Sequence, residues 1–291
     1  MQKRVNRWAR IKLVEFQRLI GSIKELGPFS ILFRFRTLQL LVYTFVYPIA
    51  RIALGTEGSS RICESLIKTP SLKIFPFPVP MKGRIILKDN KSWSVLIELL
   101  INDAYQKNIL EKGMNIIDVG AHIGGHTIYF AEKTGPSGKV VAVEPGPENY
   151  KNLLENIELN GFKNIIPVEA ALSDHNGSEN LYLSPWSTGH SLLSESAETN
   201  KNSPCIKMQA KTLDSLLEGL NLKKIDLIKI DAEGAEMSIL RGAKTTLKNN
   251  PHAKIIVASY HYPLETSEVQ NFLQSLGFKT KISDFDIVFT I

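Results

Sequence analysis

The sequence predicts an α/β fold: a mostly parallel seven-stranded sheet with helices on both faces, preceded by an N-terminal helical arm. Three observations carry this expectation. From about residue 111 onward, short runs rich in Val and Ile alternate with longer helical patterns, and such alternation implies parallel strands joined by right-handed crossovers. The first of these runs ends in a glycine-rich turn, Gly120–Gly125, that leads directly into a helix. The 291 residues are 43% hydrophobic and only 22% charged, so the chain can bury a large core and wholesale disorder is excluded.

Three regions follow in order. In the first, about 1–70, Val5, Trp8, Ala9, Phe16, Leu19, Ile20 and Ile23 share one helical face, with basic residues around much of the rest. The uncharged run Thr37–Ala50 comes next, but it has 14 residues and contains Pro48, whereas a spanning helix needs about 20. It also lies too far from Met1 for a typical signal peptide. Two readings of residues 1–55 stand side by side. One is a helix packed on the catalytic domain or on a second subunit of a homo-oligomer. The other is a monotopic anchor, with basic residues at lipid headgroups and Phe, Leu and Tyr in the acyl boundary. The second reading places an otherwise cytoplasmic protein at the inner face of a membrane.

The second region, about 71–110, is a lead-in punctuated by Pro70, Pro76, Pro78 and Pro80. It holds one strand at Arg84–Lys88 and a helix over Trp93–Tyr105. The third, 111–291, holds strands at Asn115–Val119, Lys139–Val143, Asn164–Val168, Ile225–Ile230, Lys254–Ser259 and Asp286–Ile291. Helices are expected at Thr127–Lys133, Pro147–Asn160, Thr212–Leu220, Ala235–Asn249 and Ser267–Leu276. The alternation lapses over about 174–211, where Asn180–Leu183 and Ile206–Ala210 suit an inserted hairpin near the carboxyl ends of the strands. Open α/β sheets bind ligands there.

Composition narrows the function classes. Cys63 and Cys205 are the only cysteines, which excludes a disulfide framework and argues against structural zinc. Residues 1–36 hold nine Lys/Arg and two acids, +7 in all, while the whole chain is +6. The catalytic region is therefore nearly neutral, unlike an enzyme that must hold a nucleic acid beside its active site.

The turn itself selects the cofactor. Asn115–Val119 is an apolar strand with an acid at Asp118, and Gly120-Ala-His-Ile-Gly124 follows before Thr127 opens the helix. Glycines let backbone N–H groups approach a ligand. A dinucleotide fingerprint needs glycine at position 122 to admit a pyrophosphate; the chain has His122. S-adenosylmethionine has no phosphate and tolerates the change. Glu144, at the end of the next strand and 24 residues after Gly120, suits the ribose hydroxyls. Small Ala170 and Ala171 leave room for an adenine.

The segments DVGAHIGGHT, VVAVEPGPENYKNLLENIELNG, VEAALSD and DLIKIDAEGAEMSILRGA resemble those of FkbM-type methyltransferases, over about Glu111–Gly242. The resemblance implies a Rossmann-like, class I methyltransferase fold that uses S-adenosylmethionine, commonly to O-methylate hydroxyls of natural products or sugars. It places Asp118, Gly120 and Gly124 along the cofactor, Glu144 on the ribose, and Lys229, Asp231 and Glu233 facing the transferred methyl. The chain departs from the family pattern at His122, Gly125 and His126.

Methyl transfer from a sulfonium is an in-line displacement that needs alignment and a proton acceptor. Lys229, Asp231 and Glu233 alternate, so all three face one way if their strand persists. His261 is a second candidate base; His190 and Ser191 are candidates to touch the acceptor. Glu236 reads as a helix N-terminal acid. No metal-ligand spacing stands out, so metal-independent transfer is expected, to a small-molecule, glycan or lipid-linked hydroxyl and not to nucleic acid. A nucleic-acid methyltransferase, a catalytically inactive S-adenosylmethionine binder and a dinucleotide oxidoreductase are the alternatives.

Overall fold

The computed structural model describes residues 77–81, 83–87, 109–184, 189–194, 202–259, 261–262, 264–282 and 287–291. They belong to one compact unit, Pro76–Leu99 with Asp103–Ile291. The basic arm, Thr37–Ala50 and the Trp93–Tyr105 helix lie outside the described residues. Among the described residues, no helix is long and apolar enough to cross a membrane.

Strands β1 (Phe77–Met81) and β2 (Gly83–Leu87) form an antiparallel pair. The second is the expected Arg84–Lys88 strand; its partner is hidden in the sequence by Pro78 and Pro80. The main sheet holds β3 (Asn115–Val119), β4 (Lys139–Val143), β5 (Ile165–Val168), β9 (Leu227–Ile230), β10 (Lys254–Ala258), β11 (Thr280–Ile282) and β12 (Ile287–Thr290). Their spatial order is β11-β12-β10-β9-β3-β4-β5. The five strands from β10 to β5 are parallel, and β12 runs antiparallel to both neighbours. Counting sheet strands along the chain, the order is 6-7-5-4-1-2-3, a Rossmann-like sheet whose order reverses at β3. Ligands bind at the carboxyl ends beside such a reversal.

The parallel strands read as continuous apolar runs because both faces are covered. Ile117, Val119, Val141, Val143, Ile228 and Ile230 face one core, with α3 (Leu213–Gly219), α4 (Glu236–Arg241), α5 (Lys244–Asn249) and α6 (Glu265–Ser275). Ile116, Val140, Ala142 and Leu227 face the other, with α1 (Gly125–Thr134) and α2 (Pro147–Asn160). Each fully buried side chain such as Phe130 or Leu153 contributes about 1.5–3 kcal/mol.

The inserted hairpin is present as β7 (Gly177–Tyr182) and β8 (Cys205–Lys211), with β6 (Ala171–Leu172) added parallel to β8. One helix differs from expectation. Ala235–Asn249 is two helices, α4 and α5, broken at Gly242 and Ala243. The side chain of Asp214, at the start of α3, accepts hydrogen bonds from the N–H groups of Thr245 (2.9 Å) and Thr246 (2.7 Å). The Asp214 N–H in turn donates to the Gly242 carbonyl. The break is thus stabilised by a residue about 30 positions away.

Candidate active site

The site grows from two neighbouring strand ends. Asp118 on β3 pairs in register with Lys229 on β9. The Asp118 carboxylate is fully buried; Oδ2 accepts from the Thr127 hydroxyl at 2.6 Å, and Oδ1 lies 3.3 Å from Lys229 Nζ. The ammonium also donates to the carbonyls of Gly120 (2.9 Å) and Val119 (3.3 Å). This buried pair therefore fastens the glycine turn to the sheet.

Gly120 has φ 71°, and a Cβ there would lie 1.8 Å from the Asp231 carbonyl oxygen. At Gly124, φ is 91° and a Cβ would meet Leu153 Cδ1 at 2.6 Å. The expectation that Asp118 and Gly124 line the cofactor needs correction: both are set back from the cleft. Asp118 serves Lys229 and Thr127 beneath the turn, and Gly124 makes room for α2.

The cleft is lined instead by Gly120, Ala121 and His122, by Glu144, by Ala170–Leu172, and by Lys229, Asp231 and Glu233. Gly125, His126 and His190 lie along it too. His122 holds a left-handed φ of 52°, and its N–H donates to Glu144 Oε2 at 2.8 Å. Burial, with help from the Lys229 charge and His190, brings its imidazole down to about 4; the ring is neutral at physiological pH. Glu144 Oε1 accepts from the Gly146 N–H at 2.8 Å and from Asn149 at 3.3 Å. Burial pushes the Glu144 carboxyl up, and these donors oppose it. Ala171 lines the cleft from β6 and not from the end of β5.

Beyond Ile230 the β9 strand stops. The strict alternation expected of Lys229, Asp231 and Glu233 does not hold: Glu233 reaches the cleft through a left-handed turn, φ 52°. Lys229 Nζ is 3.9 Å from Asp231 Oδ2, so it serves the loop and the carboxylate together.

His261 follows β10, and four carboxylates surround its imidazole. Nδ1 is 3.2 Å from Glu236 Oε1 and 3.4 Å from Glu265 Oε2; Nε2 is 3.7 Å from Asp231 Oδ1 and 3.8 Å from Glu233 Oε2. Burial alone would lower the imidazole, but Glu236 and Glu265 outweigh it and hold it up at about 11. The surrounding carboxylates favour the protonated ring, an environment less suited to the general-base role expected of His261. Glu236 is raised to about 7, chiefly by burial. Its Oε1 accepts from the Ala232 N–H at 2.7 Å, the helix-terminal role expected of it; its contact with His261 was not legible. Ser191 is buried and donates to the Glu233 carbonyl at 2.7 Å, so it grips the turn and is not part of the cleft lining.

The sequence pattern does not single out Asn149, Leu181 and Leu192, which line the cleft, or Glu265, which faces His261. Asn149 lies in the first turn of α2, five residues after Glu144, a spacing that could have flagged it.

The chain is similar in sequence to known methyltransferases. The family model described as "Methyltransferase FkbM domain" matches residues 118–280. "Methyltransferase 1" of Beauveria bassiana is 30% identical over 161 residues, 50% of this chain and 64% of that protein. The chain thus spans less than two thirds of that relative. "Hexuronic acid methyltransferase AglP" of Haloferax volcanii is 26% identical over 199 residues, 68% of this chain and 74% of that protein. A solved SAM-dependent methyltransferase from Aquifex aeolicus is 16% identical, with a TM-score of 0.41, over 67% of this chain and 90% of its own. The glycine turn, the strand order and the match over more than half its length place this chain in the FkbM methyltransferase family, with S-adenosylmethionine as cofactor.

Proposed function

We propose that the enzyme O-methylates a hydroxyl of a sugar, glycan, lipid-linked or natural-product acceptor. The observation that carries this is the pair of partly buried carboxylates, Asp231 and Glu233, that line the cleft. Carboxylates there suit removal of a hydroxyl proton. The hexuronic acid methyltransferase relative supports a sugar acceptor.

S-adenosylmethionine supplies an electrophilic methyl on a sulfonium. The chain's own residues then have three tasks. Gly120–His122 form the floor against which the cofactor lies. Glu144 receives ribose: a carboxylate has about four acceptor sites, and His122, Gly146 and Asn149 use three. The Asn149 bond, at 3.3 Å the longest, is the one to yield to a second hydroxyl. With the cofactor bound, Asp231 or Glu233 would take the acceptor proton as the methyl passes to the acceptor oxygen and sulfur keeps the electron pair of the broken bond. Residues 1–55, basic around an apolar face, suit attachment to a membrane surface that carries a lipid-linked acceptor.

Calorimetric titration with S-adenosylhomocysteine and NAD tests the cofactor; binding of NAD alone would overturn the reading. Glu144→Gln weakens S-adenosylhomocysteine about tenfold or more, a change of about 1.4 kcal/mol or more. Transfer of labelled methyl to a glycoside panel tests the acceptor. An alkali-stable methyl ether is expected, and an alkali-labile methyl ester would overturn the hydroxyl assignment.

A further inference from the structure

We propose that Asp231, Glu233 and His261 bind a divalent metal ion that holds the acceptor oxygen at the edge of the cleft. One donor atom from each lies within 4.8 Å of the other two, and His261 Nε2 is 3.7 and 3.8 Å from the two carboxylates. An ion with bonds of about 2.1 Å holds adjacent donors about 3 Å apart, so each side chain moves by less than about 1 Å to complete the set. Two carboxylates and one imidazole suit first-row divalent ions such as Mn²⁺, Fe²⁺ and Zn²⁺.

A second feature separates this cluster from an acidic surface patch. The opposite ring nitrogen, Nδ1, faces Glu236 and Glu265, both fully buried. Carboxylates behind an imidazole fix its tautomer and orientation and raise its basicity, as they do behind metal-bound histidines. The set Glu236, His261 and Glu265 is equally compact, but its acids do not line the cleft, so it supports the ring. Asp231 and Glu233 do line the cleft, which leaves the remaining coordination positions open to substrate.

Binding displaces the Nε2 proton to solvent. The ion then takes the acceptor hydroxyl as a ligand and lowers its pKa. The hydroxyl proton leaves to the Glu233 oxygen that does not hold the ion, the oxygen–methyl bond forms, and the sulfur–methyl bond breaks with its electron pair on sulfur. An acceptor with a neighbouring oxygen, such as a vicinal diol, chelates best. This catalytic role rests on the hydroxyl-methylation reading; the site itself is testable without it.

The full chain, stripped with EDTA and exchanged into buffer, is titrated with MnCl₂ while free Mn²⁺ is followed by electron paramagnetic resonance. One saturable site per chain is expected. Asp231→Asn and His261→Gln abolish it, and Glu236→Gln weakens it about 10–100-fold; circular dichroism establishes that each variant folds. If His261→Gln does not fold, Asp231→Asn decides. No saturable binding, or binding unchanged in Asp231→Asn, overturns the proposal. Undiminished methyl transfer in excess EDTA also overturns it and leaves the methyltransferase reading intact. Saturable Mn²⁺ binding without transfer to any hydroxyl supports the site and overturns the acceptor reading.

Discussion

Replacing Lys229 by Met tests the buried pair beneath the cofactor turn. The Lys229 side chain is 3% exposed and that of Asp118 is 0% exposed, with 3.3 Å between Nζ and Oδ1. Met keeps most of the side chain's length and removes its charge. Asp118 is then left in the core with only the Thr127 hydroxyl, and the carbonyls of Gly120 and Val119 lose their shared donor. Breaking a buried pair by removing one partner costs about 3–5 kcal/mol. For a domain of this size each kcal/mol lowers Tm by about 2–4 °C, so the melting point drops on the order of 10 °C. Urea unfolding followed by circular dichroism measures the loss. The double variant Asp118→Asn/Lys229→Met removes both charges while Asn still accepts from Thr127. It recovers part of the loss, with a coupling energy of about 1–3 kcal/mol. A Lys229→Met variant within about 1 kcal/mol of wild type, or strictly additive single variants, would refute the assignment of this pair as the anchor of the turn.

Two further outcomes follow from the site. Gly120→Ala forces an L-residue to φ 71°, costing about 1–2 kcal/mol, and drives its Cβ into the Asp231 carbonyl. S-adenosylhomocysteine affinity falls about tenfold or more, and unchanged affinity by calorimetry would show that turn and strand end move independently. His261 gives a pH signature in the metal-free protein. Its folded pKa, about 11, stands above its ordinary 6.5, so its stabilisation is full below about pH 6.5 and fades as pH rises toward 11. Asp231, Glu233, Glu236 and Glu265 all face the ring. The stability gap between wild type and His261→Gln therefore narrows from pH 6 to pH 10; a gap independent of pH would sink this account.

Much of the sheet was legible because its determinants are local. Asn115–Val119 and Lys139–Val143 are apolar, β-branched runs bounded by turn residues, and both strands match residue for residue. Pro147–Asn160 carries its own start and stop, Pro147 at the first turn and Gly161 at φ 69° beyond the last. Thr280–Ile282 escaped notice because three half-exposed or exposed residues show no period. The split of Ala235–Asn249 depends on Asp214, which no helical pattern reveals. The same limit applies at the site. Glu144 stands at a strand end and could be read from spacing. That Asp118 faces Lys229 and not the cleft, and that His261 sits among Asp231, Glu233, Glu236 and Glu265, depend on register between strands more than 100 residues apart and on neighbouring loops about 30 residues apart.

The insertion between β6 and β8 bears on how such an enzyme can diversify. Ser191 holds the Glu233 carbonyl, and Leu193 Cδ1 fills the space that a side chain at position 234 would need. The segment is therefore keyed to the turn after β9 by one hydroxyl and one methyl group. Exchanging it wholesale for a relative's loop removes both keys and lets Glu233 drift from its left-handed turn. A transplant that retains Ser191, Leu193 and Gly234 keeps both keys, so these three positions mark the seam at which the segment meets the turn after β9.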